Sequence, residues 1–286
     1  MKKVNQLCEW RPCYYFCNMT TAVIEAMATG LAVIATTHSG FPDQVIPGKN
    51  GYLANEADPE DFADKMLAYI EQPQLWASMS REARKLALQK YDRKPLIDRQ
   101  HNLYKEIAPN VKKVAFIVGV FPAISEVWFI NQVADLLDRG LDVRIYTLRL
   151  GSEENISERY FSYKMKERTT SLEMPLSWTK RIVFAIPKFL HVLFRNPALL
   201  PALLDSKKYG ENARSLKLLF RAEPLMGLDA DLVHCHFGTV ANKFLAIRDV
   251  LGLTQPFLTS RYGLDVSSVV EEKGVAYYDD LKKAGM

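Results

Sequence analysis

With 286 residues, 48% of them hydrophobic and 24% charged, the chain has the make-up of an ordinary globular protein long enough for two domains, and disordered or fibrous classes are excluded. A formal net charge of +4 on 37 basic and 33 acidic residues is too even for the basic stripe that nucleic-acid binding leaves. Nucleic acid is therefore not an expected partner.

Residues 1–17, MKKVNQLCEWRPCYYFC, have neither helical nor strand periodicity. They hold three of the four cysteines, Cys8, Cys13 and Cys17, with Cys235 standing alone far downstream. That spacing fits no zinc pattern, and the start does not read as a signal peptide, so the expectation is free thiols in a reducing cytoplasm.

The stretch Asn18 to Tyr52 reads as loop, helix, buried strand, loop. Thr20 or Thr21 caps a helix whose apolar positions Val23, Ile24, Met27 and Ala28 recur at helical spacing, and Gly30 stands where a left-handed C-terminal residue is wanted. An apolar strand, Leu31 to Ala35, follows at once. A helix start placed beyond a strand end is how α/β folds hold phosphate, because backbone N–H groups and the positive helix end meet the anion. Thr20, Thr21 and Ala22 then supply the anion-facing end. Glu25, one turn in, offers a carboxylate to a ribose diol.

The run from Asn18 to Gly30, followed by Ala32 to Thr36 and His38-Ser39-Gly40, resembles the nucleotide-sugar half-site of the retaining glycosyltransferase family with the GT-B fold. In that family two Glu bracket this loop, the first on the donor sugar and the second on the ribose. Glu25 matches the second, and Cys17 stands at the position of the first. The resemblance implies a mainly parallel α/β fold of two Rossmann-like domains and a nucleotide-sugar donor as substrate. It implies no metal or other cofactor. It also implies strands upstream of Asn18 for which residues 1–17 leave no room, so the chain is expected to start inside a domain, with 1–17 an unassigned head.

Further along, Pro47 to Gly51 is a turn and Tyr52-Leu53 begins a strand. Asp58-Pro59-Glu60 opens a helix with cap, proline and acid in place, and two more helices are expected over about 74–90 and 94–107. Ala108-Pro109-Asn110 breaks the pattern. This bounds a nucleotide-sugar half-domain of C-terminal type over 18–108 and a truncated acceptor half-domain of N-terminal type over 112–286.

The second half opens with a buried strand at Val114 to Val118, a helix from Val127 to Gly140 and a strand at Asp142 to Leu148, the first βαβ unit of a doubly wound sheet. No G-x-G-x-x-G is present, which removes the main support for dinucleotide binding. The run Phe121 to Glu126, with Gln132, resembles the start of the acceptor domain in bacterial exopolysaccharide members of the family. Phe121, Ser125 and Glu126 are thus acceptor-side candidates.

From Trp178 to Leu204 the chain is apolar and basic at once, interrupted by Pro187 and Pro197. The expected arrangement is a helix pair packed on the second sheet; the competing one is a surface resting on an anionic membrane that holds a lipid-linked acceptor.

Asp231 to Gly238 is a strand and turn in which His234 and His236 share one strand face. A third ligand is lacking, and the family has a similar His-rich strand end, so His236 is placed on the acceptor side and no metal site is expected. After a strand at Pro256 to Ser260, the family commonly has His-Gly-x-Asp near the reacting centre. Here Tyr262 takes the His position, and Gly263 and Asp265 match. The resemblance therefore makes Tyr262 and Asp265 catalytic candidates and Gly263 an acceptor-side one.

The leading expectation is a cytoplasmic glycosyltransferase that moves a sugar from a nucleotide sugar to a polysaccharide or lipid-linked acceptor, with contact at the inner membrane face resting on the competing reading of Trp178 to Leu204. The alternative is a catalytically inactive fragment or fusion of two halves that at most binds nucleotide. A sugar-nucleotide epimerase of similar architecture fits the Glu25 helix poorly.

Overall fold

The computed structural model describes residues 20–38, 40–266 and 268–284. Cys17 and Asn18 lie outside the described residues, as does Ser39. The described residues form two units: one takes in residues up to 100 with 262–268, the other residues 101–261 and those from 269 onward.

In the first unit, helix α1 (Thr21–Ala28) buries Met27 against Ala83 and Ala87, with Val23, Ala28, Val33, Leu86 and Tyr91 packed around them. The helix stops where expected. Gly30 has φ +85°, and the amides of Gly30 and Leu31 donate to the carbonyls of Met27 and Ala26. These bonds satisfy carbonyls that the helix end would otherwise orphan. Strand β1 (Val33–Thr36) then pairs in parallel with β2 (Gly51–Ala54), Val33 opposite Gly51 and Thr36 opposite Ala54.

Helix α2 (Pro59–Glu71) carries the anticipated cap: the Asp58 side chain accepts the Asp61 amide at 2.9 Å. The Asp61 carboxylate accepts the Asn55 amide at 2.7 Å. Helices α3 (Trp76–Tyr91) and α4 (Arg93–Ile107) follow close to their expected bounds. From His101 onward α4 groups with the second unit. Tyr104, on that portion, is fully buried and hydrogen-bonds His234 of the same unit.

The second unit is built on a five-stranded, all-parallel sheet in the order β5-β4-β3-β6-β7. Its strands are β3 (Lys113–Phe121), β4 (Asp142–Leu150), β5 (Thr169–Ser171), β6 (Leu232–His236) and β7 (Phe257–Ser260). All strand pairings in both sheets are parallel, as expected of a Rossmann-like α/β fold. Four of the five strands were legible as apolar runs. β5 was not, because Thr169-Thr170-Ser171 is short and polar, held at the edge by pairing with Ile145 to Thr147.

Helix α5 (Val127–Asp138) joins β3 to β4 and buries Phe129, Ile130, Val133, Ala134 and Leu136. Chain order runs outward from β3 through β4 to β5, then returns to β6 beside β3. The direction of winding therefore reverses between β3 and β6, and in open α/β sheets the crevice beyond the strand ends at such a reversal is where ligands bind.

Helix α6 (Trp178–Arg195) departs from expectation. It lies against the helical turns of Pro197–Leu203, on helix α7 (Lys217–Ala222) and on the turn at Glu223, and of its own residues only Ala185 and Val192 are buried. Most of its apolar residues face outward.

Candidate functional site

The donor-side candidates all lie in the first unit. Thr20 is the N-cap, in extended conformation, and its carbonyl accepts the amides of Val23 and Ile24. Its hydroxyl makes no cap hydrogen bond among the described residues. Thr21, Ala22 and Glu25 occupy one exposed face of α1, opposite the buried Met27. The structure thus brings together on one open surface the helix-start amides and the carboxylate one turn in.

What holds that helix start was not legible in the sequence. Gln44 is fully buried, and its side-chain amide donates to the Thr20 carbonyl at 3.3 Å. The Gln44 carbonyl in turn accepts from the Asn50 side chain at 2.9 Å, while Asn50 Oδ1 accepts the Ile46 amide at 2.6 Å. Asn50 and Gln44 read in sequence only as turn and loop residues. Together the two buried residues brace the N-cap through the Gln44 amide and the Asn50 side chain.

The acceptor-side candidates divide. Phe121, Ser125, Glu126 and His236 gather in the second unit at the carboxyl ends of β3 and β6, the reversal point of the sheet. Phe121 is fully buried, edge-on to Phe129 at 5.3 Å, so it forms the floor there and offers no open face. Ser125 is exposed; Glu126 is half-buried, and burial holds its carboxyl above the usual range. Immediately after β6, Phe237 takes φ +70° and helix α8 (Gly238–Leu251) begins. Gly238 is required by close approach: a Cβ there would lie 2.7 Å from the Tyr278 ring.

His234 and His236 share a strand face as expected, stacked 4.6 Å apart between Phe116 and neighbouring aromatic rings. Both are buried. The two nitrogens of His234 meet the Tyr104 hydroxyl and the Ser260 hydroxyl, partners that can each donate or accept and so satisfy a neutral ring. Burial depresses the His234 pKa to about 3. It drives His236 well below the ordinary value too, and the His234 neighbour adds to the shift. Among the described residues no group of three or more His, Cys, Asp or Glu is placed to hold a metal. Cys235, between the two histidines in sequence and so on the other face of the strand, is a buried thiol whose pKa burial raises.

Tyr262, Gly263 and Asp265 group with the first unit, whereas Phe121, Ser125, Glu126 and His236 belong to the second. They form a short helical turn. The Asp265 carboxylate accepts the Tyr262 amide at 3.1 Å, and the Asp265 amide donates to the Tyr262 carbonyl at 2.9 Å. Asp265 is fully buried, and its carboxylate organises the turn that presents Tyr262.

Residues 15–86 match the family model of glycosyl transferases group 1. That match bears out the resemblance read from the run between Asn18 and Gly40, and it covers α1, β1, β2, α2 and most of α3. WcaL of Escherichia coli (strain K12), a colanic acid biosynthesis glycosyltransferase candidate, is 26% identical over 158 residues, 54% of this chain and 38% of that protein. Its counterpart in Salmonella typhimurium (strain LT2) is 27% identical with the same coverage. A D-inositol 3-phosphate glycosyltransferase of Corynebacterium jeikeium (strain K411) is 34% identical over 86 residues, 30% of this chain and 20% of that protein. The chain thus spans 38% of the length of the WcaL relatives it matches. No solved structure gives a significant match.

Proposed function

We propose that the chain serves glycosyl transfer, with a nucleotide sugar held at the start of α1 and its sugar passed to a polysaccharide or lipid-linked saccharide. The observation that carries this is the open face of α1, where the Thr21 and Ala22 amides and the Glu25 carboxylate stand together inside the matched segment. Diphosphate set on the helix start would meet orphan N–H groups and the positive end of the helix dipole. Glu25 would accept the two ribose hydroxyls.

As the bond from sugar to diphosphate breaks, charge grows on the leaving phosphate, and amides already oriented toward it stabilise that charge without reorganising. No cofactor enters this reading. Tyr262, presented by the Asp265 turn, is assigned to the reacting centre, and Ser125 and Glu126 to the acceptor side. Placement in the cytoplasm, at the inner face of the membrane where a lipid-linked acceptor is presented, belongs to the same proposal.

A transfer assay tests it. Nucleotide sugars radiolabelled in the sugar are supplied with membranes, and label is expected in a lipid or polymer fraction. Hydrolysis-free binding with no label in either fraction, across the common donor sugars, would reduce the chain to a nucleotide-binding module.

A further inference from the structure

Helix α6 and the turns after it present an apolar face that the protein does not cover. The residues pointing inward are few: Arg181, Ala185, Lys188 and Val192, spaced by four, three and four. Arg181 donates to the carbonyls of Pro175 and Ser215, and Lys188 pairs with Glu223 at 2.6 Å. The cations therefore anchor the helix to the body. Its hydrophobic side chains are left outside, the reverse of an ordinary surface helix.

Trp178, Ile182, Val183, Ile186, Leu190 and Phe194 fall on one continuous arc of the helix, with Val183 63% and Phe194 83% exposed. Leu176, just before the helix, is 95% exposed. Lys180, His191 and Arg195 border the arc along one side. Between Met174 and Leu204 there is no Asp or Glu.

We propose that this face docks on an anionic lipid bilayer, lying in the interface with its apolar arc among the acyl chains and Lys180 and Arg195 at the headgroups. Charge selects this occupant. A second copy paired through the same face would set cations against cations with no carboxylate in the segment to balance them. The proposal places the segment on the membrane surface: among the described residues no single helix is long and apolar enough to cross, and α6 and Pro197–Leu203, apolar enough only when taken together, meet at a bend of 119°. The inference deepens the membrane part of the proposed function. It rests on α6 alone and needs no turnover, so either can fail without the other.

Flotation of the full chain with vesicles tests it. The protein is expected to rise with phosphatidylcholine vesicles that contain phosphatidylglycerol, and to partition about tenfold less onto phosphatidylcholine alone or at high salt. The pair Val183→Asp and Phe194→Asp, on side chains that face solvent, is expected to lower partition by about tenfold or more while circular dichroism stays unchanged. If that variant fails to fold, Lys180→Glu with Arg195→Glu leaves the apolar arc intact and is expected to remove the dependence on phosphatidylglycerol. Wild type that stays with the soluble fraction, or flotation undiminished in both variants, overturns the proposal. So does a wild-type dimer in sedimentation that Val183→Asp with Phe194→Asp splits, since the face would then belong to a second copy.

Discussion

Lowering the pH from 7 to 5 is expected to weaken the second unit by about 2 kcal/mol for each of two buried imidazoles. His234 has its pKa held down to about 3 by burial, and His236 is held well below its ordinary value by burial and by His234. A group whose folded pKa is depressed contributes stability that is complete above its unfolded value, near 6.5, and is lost as pH falls toward the folded value. The unfolded chain takes up protons through that window and the native one does not. Glu223, Asp231 and Asp249 also have lowered pKa values, but their ordinary values lie at 4.5 or below, so they act at more acid pH. Between pH 5 and 6.5 the imidazoles dominate. Urea unfolding across that range is the measurement, with His236→Phe as comparison: the slope should fall by about 1 kcal/mol per pH unit, as the unfolded imidazole goes from half to almost fully protonated. Parallel slopes would mean that His236 is not held neutral by the fold.

The second large effect is at Gly51. It stands opposite Val33 in the only strand pair of the first unit among the described residues, and a Cβ there would lie 2.2 Å from the Val33 carbonyl oxygen and 3.0 Å from Val45. A backbone oxygen cannot swing aside as a side-chain tip would. Gly51→Ala therefore forces β1 and β2 apart, and we expect a loss of about 3 kcal/mol, the upper part of the range for overpacking. Gly48→Ala, with nothing within 4 Å but φ +74°, meets only the left-handed strain and should cost about 1 kcal/mol. Denaturant unfolding of both variants separates the two causes, and equal small losses would show that the strands can part cheaply.

Much of this architecture was readable before any coordinates, because the signals were local. The apolar runs at Val114, Val143, Leu232 and Phe257 became parallel strands, and Gly30 ended α1 in the left-handed conformation that its position demanded. Asp58 capped α2 as its Asp-Pro-Glu start required. What stayed hidden depends on residues far apart in sequence. Nothing near Gln44 or Asn50 announces a brace for the α1 cap, and the bond from Tyr104 to His234 joins residues 130 positions apart. The outward apolar arc of α6 was hidden for a different reason: periodicity gives the angular spread of hydrophobic residues but not which side the body occupies.

The central claim is that the start of α1 is a nucleotide half-site, and isothermal titration calorimetry with a nucleoside diphosphate tests it most directly. Wild type is expected to bind, with phosphates at the Thr21 and Ala22 amides and ribose on Glu25. Glu25 is exposed on α1 and away from the Met27 core, so Glu25→Ala should leave the fold intact. It should weaken binding by about 1.5–3 kcal/mol, the worth of hydrogen bonds to a charged acceptor. Equal affinity of wild type and Glu25→Ala would remove Glu25 from the site and contradict the account.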